Sequence, residues 1–174
     1  KSDVCVIHCS GARPLSDVSE SHSSSAVFYP LQSILKNELN EDLEVPFLIE
    51  ATNKSIENEL IVLAQQMGYN SSIMSSEKRL KLHLCAVWIN NFVNYISSVA
   101  QDILVKESLP DSLIKPLMER TLKRLMSTSA NEAQTGPAKR GDYQTINAHL
   151  DLLEGDEQEV YELLSRVINR KFNN

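Results

Sequence analysis

Five glycines occur in the 174 residues and no two stand two apart, so the G-x-G-x-x-G turn that cradles a dinucleotide pyrophosphate is absent. P-loop, G-x-S-x-G and H-E-x-x-H patterns are missing as well, which removes the minimum equipment of kinases, α/β-hydrolases and zinc proteases. The three cysteines, Cys5, Cys9 and Cys85, form no C-x-x-C pair, and two of them sit in apolar segments. That usage points to reduced thiols in a cytoplasmic protein. Cys5, His8 and Cys9 suit a strand with buried thiols better than a metal site, and no metal is expected. Basic residues are not in excess: 17 face 23 acidic ones, a formal net charge of -6. Neither nucleic acid nor an anionic membrane is an expected partner. No apolar run is long enough to span a bilayer, and no basic segment followed by an apolar one opens the chain. There is no initial Met and an apolar run begins at Val4, so the chain is expected to be a fragment of a longer protein.

What is present suffices for folding, with 42% hydrophobic and 23% charged residues. Residues 4–9, 26–29 and 45–49 are short apolar runs bounded by turn residues, the pattern of strands covered on both faces. A serine-rich loop, 19–25, separates the first two. From Ser55 the period changes: Ile56, Leu60, Leu63 and Met67 mark an amphipathic helix with Ser55 as N-cap and Gly68 past its end. An edge strand is expected near Ile73.

A long helix is then predicted from Ser75 or Ser76 to Lys106, because Leu82, Cys85, Ile89, Phe92, Ile96, Val99 and Ile103 alternate three and four apart. A further helix spans 111–126, with Pro116 tolerable in its first turn. Residues 127–140 read as an irregular loop around Gly136-Pro137. Asp142 caps a helix carrying Ile146, Leu150 and Leu153 and closed by Gly155; Asp156 and Glu159 open a last one. Strands come first and only helices follow. The expected class is α+β: the last strands of a Rossmann-like α/β domain, residues 1–74, then an all-helical domain, residues 75–174.

Candidate chemistry lies on the long helix. At 100° per residue, Arg79, His83, Asn90 and Asn94 fall within about 40° of His83, and Asn91 lies roughly 80° away. Buried and unpaired, each Asn would cost about 1–3 kcal/mol. Either His83 and an Asn face a cleft, the imidazole acting as proton donor or acceptor, or the stripe is a satisfied core network or a helix contact. His8-Cys9-Ser10-Gly11 follows a strand, where open α/β sheets hold ligands, although a plain tight turn fits equally. Arg140, ahead of the Asp142 cap, suits an anionic group or an acidic neighbour. Arg140-Gly141-Asp142 also spells an adhesion tripeptide, read here as chance. His149 suits a structural role.

These stretches together resemble bacterial NADP oxidoreductase-type proteins, with a Rossmann-like NADP-binding domain followed by a helical domain of unknown function. The resemblance rests on His8-Cys9-Ser10-Gly11, Phe28-Tyr29-Pro30-Leu31-Gln32-Ser33, Arg79 with His83, Ala86-Val87-Trp88, Asn91-Phe92, residues 134–142 and His149-Leu150, and the 134–142 loop is its most specific part. It implies relatives of the 6-phosphogluconate and 3-hydroxyacid dehydrogenases, whose helical domain forms the dimer. Those relatives present a Lys and an Asn one turn apart, a pattern this chain does not keep.

The resemblance further implies NADP as cofactor and an oxidoreductase acting on a small polar carbonyl or hydroxy compound. His8, Ser10, Gly11, Tyr29, Pro30 and Gln32 would flank the nicotinamide. His83, Asn91 and Arg79 would be catalytic, and Arg140, Asn90 and Asn94 would bind substrate. The alternative is a helical homodimerisation or binding module in which the polar stripe is a dimer network without catalysis. A homodimer through the helical domain is expected under either reading.

Overall fold

The computed structural model describes residues 4–33 and 44–173. Two compact units divide the chain, Lys1–Ile96 and Ser97–Asn174. The first holds a four-stranded mixed sheet of β1 Val6–His8, β2 Ser25–Pro30, β3 Phe47–Ala51 and β4 Ser71–Ile73, in that spatial order. β1 and β2 are parallel, β2 and β3 antiparallel, β3 and β4 parallel. A single-turn helix, α1 Ser16–Ser19, lies between β1 and β2, and α2 Lys54–Gln66 joins β3 to β4.

Alternation along the strands sets the core. Ala26, Phe28, Phe47 and Ile49 point to one face and meet Leu60 and Ala64 of α2. The Phe28 and Phe47 rings stack with centroids 4.3 Å apart. Val27 and Leu48, on the opposite face, are also buried, so β2 and β3 are covered on both sides. β1 differs from expectation. Ile7 is 42% exposed, because among the described residues β1 is an edge strand with one neighbour, and Val4, ahead of it, is 64% exposed.

Asn53, not Ser55, caps α2: its Oδ1 accepts the Ile56 N–H at 3.0 Å, while Ser55 sits inside the first turn and donates to Glu59. Gly68, at φ +82°, ends the helix in the left-handed region that a side chain resists. After β4 comes α3 Ser76–Ala86, capped by the Ser75 hydroxyl. A π-helical turn, Val87–Asn91, follows, in which the Phe92 N–H reaches back five residues to the Val87 carbonyl. α4 Phe92–Lys106 continues the chain, and the division between the units falls within it.

In the second unit a 3₁₀ turn, Asp111–Leu113, precedes α5 Lys115–Ser127, with Pro116 in its first turn. The expected loop 127–140 instead contains two single-turn helices, α6 Ala130–Ala133 and α7 Pro137–Arg140. Ser129 and Glu132 form a reciprocal capping box for α6, and Gly136 at φ +103° feeds Pro137 into α7. Asp142 caps α8 Tyr143–Leu150 by accepting the Thr145 N–H at 3.1 Å. Gly155 does not close α8; at φ +57° it opens α9 Gly155–Asn173, which places Asp156 inside the first turn. Asn169 and Asn173 of α9 donate to the Ala138 and Lys139 carbonyls at 3.1 and 3.0 Å and hold α7 in place. His149 of α8 pairs with the Tyr161 hydroxyl of α9 at 2.6 Å.

Candidate functional site

The turn after β1 is occupied by its own hydrogen bonds. The Ser10 N–H donates to His8 Nδ1 at 3.2 Å, so the ring proton sits on Nε2 and is given to the Pro14 carbonyl at 3.2 Å. The Ser10 hydroxyl oxygen accepts from the N–H groups of Ala12 and Arg13. His8 and Ser10 therefore shape the turn. Their product is the buried Gly11.

Gly11 is where strand, loop and helix converge. A Cβ on it would lie 2.7 Å from His83 Nδ1 and 2.8 Å from Tyr29 Cζ. Tyr29, near the end of β2, sets its hydroxyl 3.1 Å from His83 Nδ1. Burial pushes the Tyr29 phenol above its usual range, so it keeps its proton and has one to give to Nδ1. In the tautomer where Tyr29 is the donor, the imidazole N–H is on Nε2, which has no hydrogen-bond partner among the described residues and can be shared with a ligand oxygen.

Gly11→Ala is accordingly expected to push the imidazole off Tyr29. Overpacking of this kind costs about 1–3 kcal/mol. The loss should appear in denaturant unfolding, together with shifted His83 ring resonances; an unchanged His83 spectrum would contradict the contact.

Arg79, one turn before His83, does something else. Its side chain is 0% exposed, with Nη1 2.6 Å from Glu50 Oε2 on β3 and Nη2 2.7 Å from the Arg13 carbonyl. Ser76 completes the cluster, donating to Glu50 at 2.6 Å and accepting from Arg79 Nη2 and from the Leu15 N–H. Burial raises the Glu50 carboxyl, yet the hydrogen bonds from Ser76 and Arg79 outweigh it and hold the group below its ordinary range. Arg79 Nε is buried without a partner among the described residues. The resemblance implies a catalytic Arg79; its side chain is buried, and the guanidinium ties α3 to β3 and to the loop carrying Gly11.

A cleft of about 490 Å³ lies within the first unit. Tyr29 and Gln32, at and after the end of β2, line it together with Leu82 and His83 of α3 and Ile89, Asn90 and Asn91 of the π turn. Asn90 shares the His83 face at ordinary helical spacing; the π turn brings in Asn91. One extra residue in a turn sets everything after it back by roughly 100°, so Asn91 returns toward the His83 face. Asn94 does not line the cleft; its Nδ2 donates to Asn90 Oδ1 at 3.2 Å. Pro30 ends β2 opposite Phe47 and is not part of the lining. Arg140 belongs to the second unit, where its head is 64% exposed and 4.0 Å from Asp142.

Sequence reasoning missed Glu50 and Ser76. A carboxylate at the end of an apolar strand, in a chain whose helix buries an arginine, was the available signal. Among the described residues no group of three His, Cys, Asp or Glu could hold a metal, and no helix is long and apolar enough to cross a membrane.

The family model of a domain of unknown function, DUF2520, matches residues 45–168. The chain belongs to this family. The DUF2520 match takes in Glu50, Arg79, His83, Asn90 and Asn91, whereas Gly11, Tyr29 and Gln32 precede it. The α+β architecture is also that of a crystal structure of the putative NADP oxidoreductase BF3122 from Bacteroides fragilis, 35% identical with a TM-score of 0.89, aligned over 95% of this chain and 65% of that one. This DUF2520 chain thus spans 65% of the length of the Bacteroides protein. Protein TM1727 from Thermotoga maritima, 23% identical, shares the fold with a TM-score of 0.71 over 97% of this chain and 69% of its own. No curated protein matches.

Proposed function

We propose that this chain carries the substrate cleft of an NADP-dependent oxidoreductase, and that the full-length protein moves hydride between NADP(H) and a small polar carbonyl or hydroxy compound. The observation that carries this reading is the His83–Tyr29 pair seated on Gly11 and lining a cleft. The Bacteroides relative, named a putative NADP oxidoreductase, adds support.

The residues present fit one end of the cofactor only. On this reading Tyr29 and Gln32, which line the cleft, would border a nicotinamide, whereas the glycine-rich turn for the phosphates is not in this sequence and the His8–Ser10 bonds are used locally. When bound, the nicotinamide would supply or accept the hydride. His83, held by Tyr29, would give or take the proton at the substrate oxygen, and Asn91 would orient that oxygen. Arg79 positions the helix. Arg140 has no part in this reading. The free thiols of Cys5, Cys9 and Cys85 suit a cytoplasmic protein.

The second reading is assembly. In the second unit Leu117 is 67% exposed and Met126 89%, apolar surface that a second copy would cover. A homodimer through the helices is part of our proposal under both readings.

Titrating the full-length protein with NADPH tests the first reading, followed by NADPH consumption with a panel of small ketones and aldehydes. Binding followed by carbonyl-dependent oxidation is expected. A full-length protein that binds neither NADPH nor NADH would sink the proposal.

A further inference from the structure

We infer that the cleft selects an uncharged ligand carrying a carbonyl acceptor, such as a ketone or carboxamide with a short apolar group, and disfavours carboxylates. Among the described residues that line it none is charged. Its polar lining is instead rich in side-chain amides, and two of these amides have donor ends without a partner among the described residues.

Gln32 Oε1 already accepts the Ser33 N–H at 2.8 Å, an assignment fixed by the backbone donor, so Gln32 Nε2 is the end left for a ligand. Asn90 Oδ1 already accepts from Asn94 Nδ2, so Asn90 too has its NH₂ to offer. Asn94 thereby orients Asn90 without lining the cleft. With the Tyr29 hydroxyl donating to Nδ1, the His83 Nε2–H is a third donor. Donors without net charge satisfy a neutral carbonyl oxygen. A carboxylate taken from water into the same place finds no cation among the described lining residues to offset its larger desolvation cost. Leu82, Ile89 and Leu31 suit an apolar remainder on the ligand.

As a statement about substrate, the inference rests on the reading proposed above; as a statement about binding, it stands apart from hydride transfer. The probes are isobutyramide and isobutyrate, nearly identical in shape and different in charge. Each is titrated into the ¹⁵N-labelled chain at about pH 8, where imidazoles are ordinarily neutral, and the side-chain NH₂ resonances of Gln32, Asn90 and Asn91 are followed. Isobutyramide should shift these resonances saturably and bind at least about tenfold tighter than isobutyrate. Gln32→Ala and Asn90→Ala should each weaken isobutyramide about fivefold, one net hydrogen bond, while Gln66→Ala on α2 leaves binding unchanged. Should a cleft variant fail to fold, the comparison of the two probes on the unaltered chain still decides.

Isobutyrate binding as tightly as isobutyramide overturns the inference. So does the absence of any shift at these amides up to roughly 100 mM, where millimolar affinity would be seen. Amide-selective binding in a protein that turns over no NADPH would remove the oxidoreductase reading and leave the selectivity intact.

Discussion

Glu50→Gln is expected to destabilise the first unit by about 3–5 kcal/mol, the cost of stripping the partner from a buried charge. Arg79 is 0% exposed, and its guanidinium cannot shed its proton, so without the Glu50 carboxylate a full positive charge stays inside. The side-chain oxygen of Gln can still meet Nη1 and Ser76, but it cannot neutralise that charge. Replacing both partners, Glu50→Leu with Arg79→Met, should therefore cost less than Glu50→Gln alone. Trp88, the chain's one tryptophan, lies in the first unit and gives a fluorescence signal for its unfolding.

The same pair predicts an acid limb. Because the folded carboxyl titrates below its ordinary value of 4.5, its contribution is complete above that pH and disappears as pH falls toward the folded value. The unaltered protein should lose stability on acidification below about 4.5, and Glu50→Gln should show a shallower slope there. A variant as stable as the parent at neutral pH, with the same acid slope, would mean that the cluster holds nothing together.

The strand and helix elements were legible where apolar period and length agreed. β2, β3, α2 and the long helix follow directly from residues such as Phe28, Ile49, Leu60 and Leu82. Two features were not. The π turn at Val87–Asn91 has no marker in residue type, since it comes from a backbone bond that skips one residue, and this turn is what sets Asn91 beside His83 in the cleft lining. The burial of Arg79 was hidden for a different reason. Helical period says which side chains share a face but not what that face meets, and the partner, Glu50, is 29 residues earlier on a strand read as ending at Ile49. Likewise Gly11 reads as a turn residue, whereas its missing Cβ serves the approach of His83. Short helices such as α6 and α7 escaped because four residues carry no period to detect.

His83→Gln separates catalysis from assembly in the full-length protein. Gln keeps polar length and can still accept a hydrogen bond from the Tyr29 hydroxyl, but it cannot carry a proton to or from a substrate oxygen. If His83 is the proton-transfer group, turnover should fall by roughly 10²–10⁴-fold, the usual contribution of a positioned acid or base. NADPH affinity should change little. Since the imidazole fills the space above Gly11, some loss of stability is expected as well, so the rate is to be read at a temperature where both proteins remain folded. Tyr29→Phe, which removes the hydrogen bond while retaining the ring, should give a smaller drop, because the imidazole remains and only its tautomer and orientation loosen. An unchanged rate in His83→Gln, with sedimentation showing a weakened dimer, would transfer the polar stripe from the cleft to the subunit contact. The Arg79–Glu50 cluster would then serve to brace a docking helix.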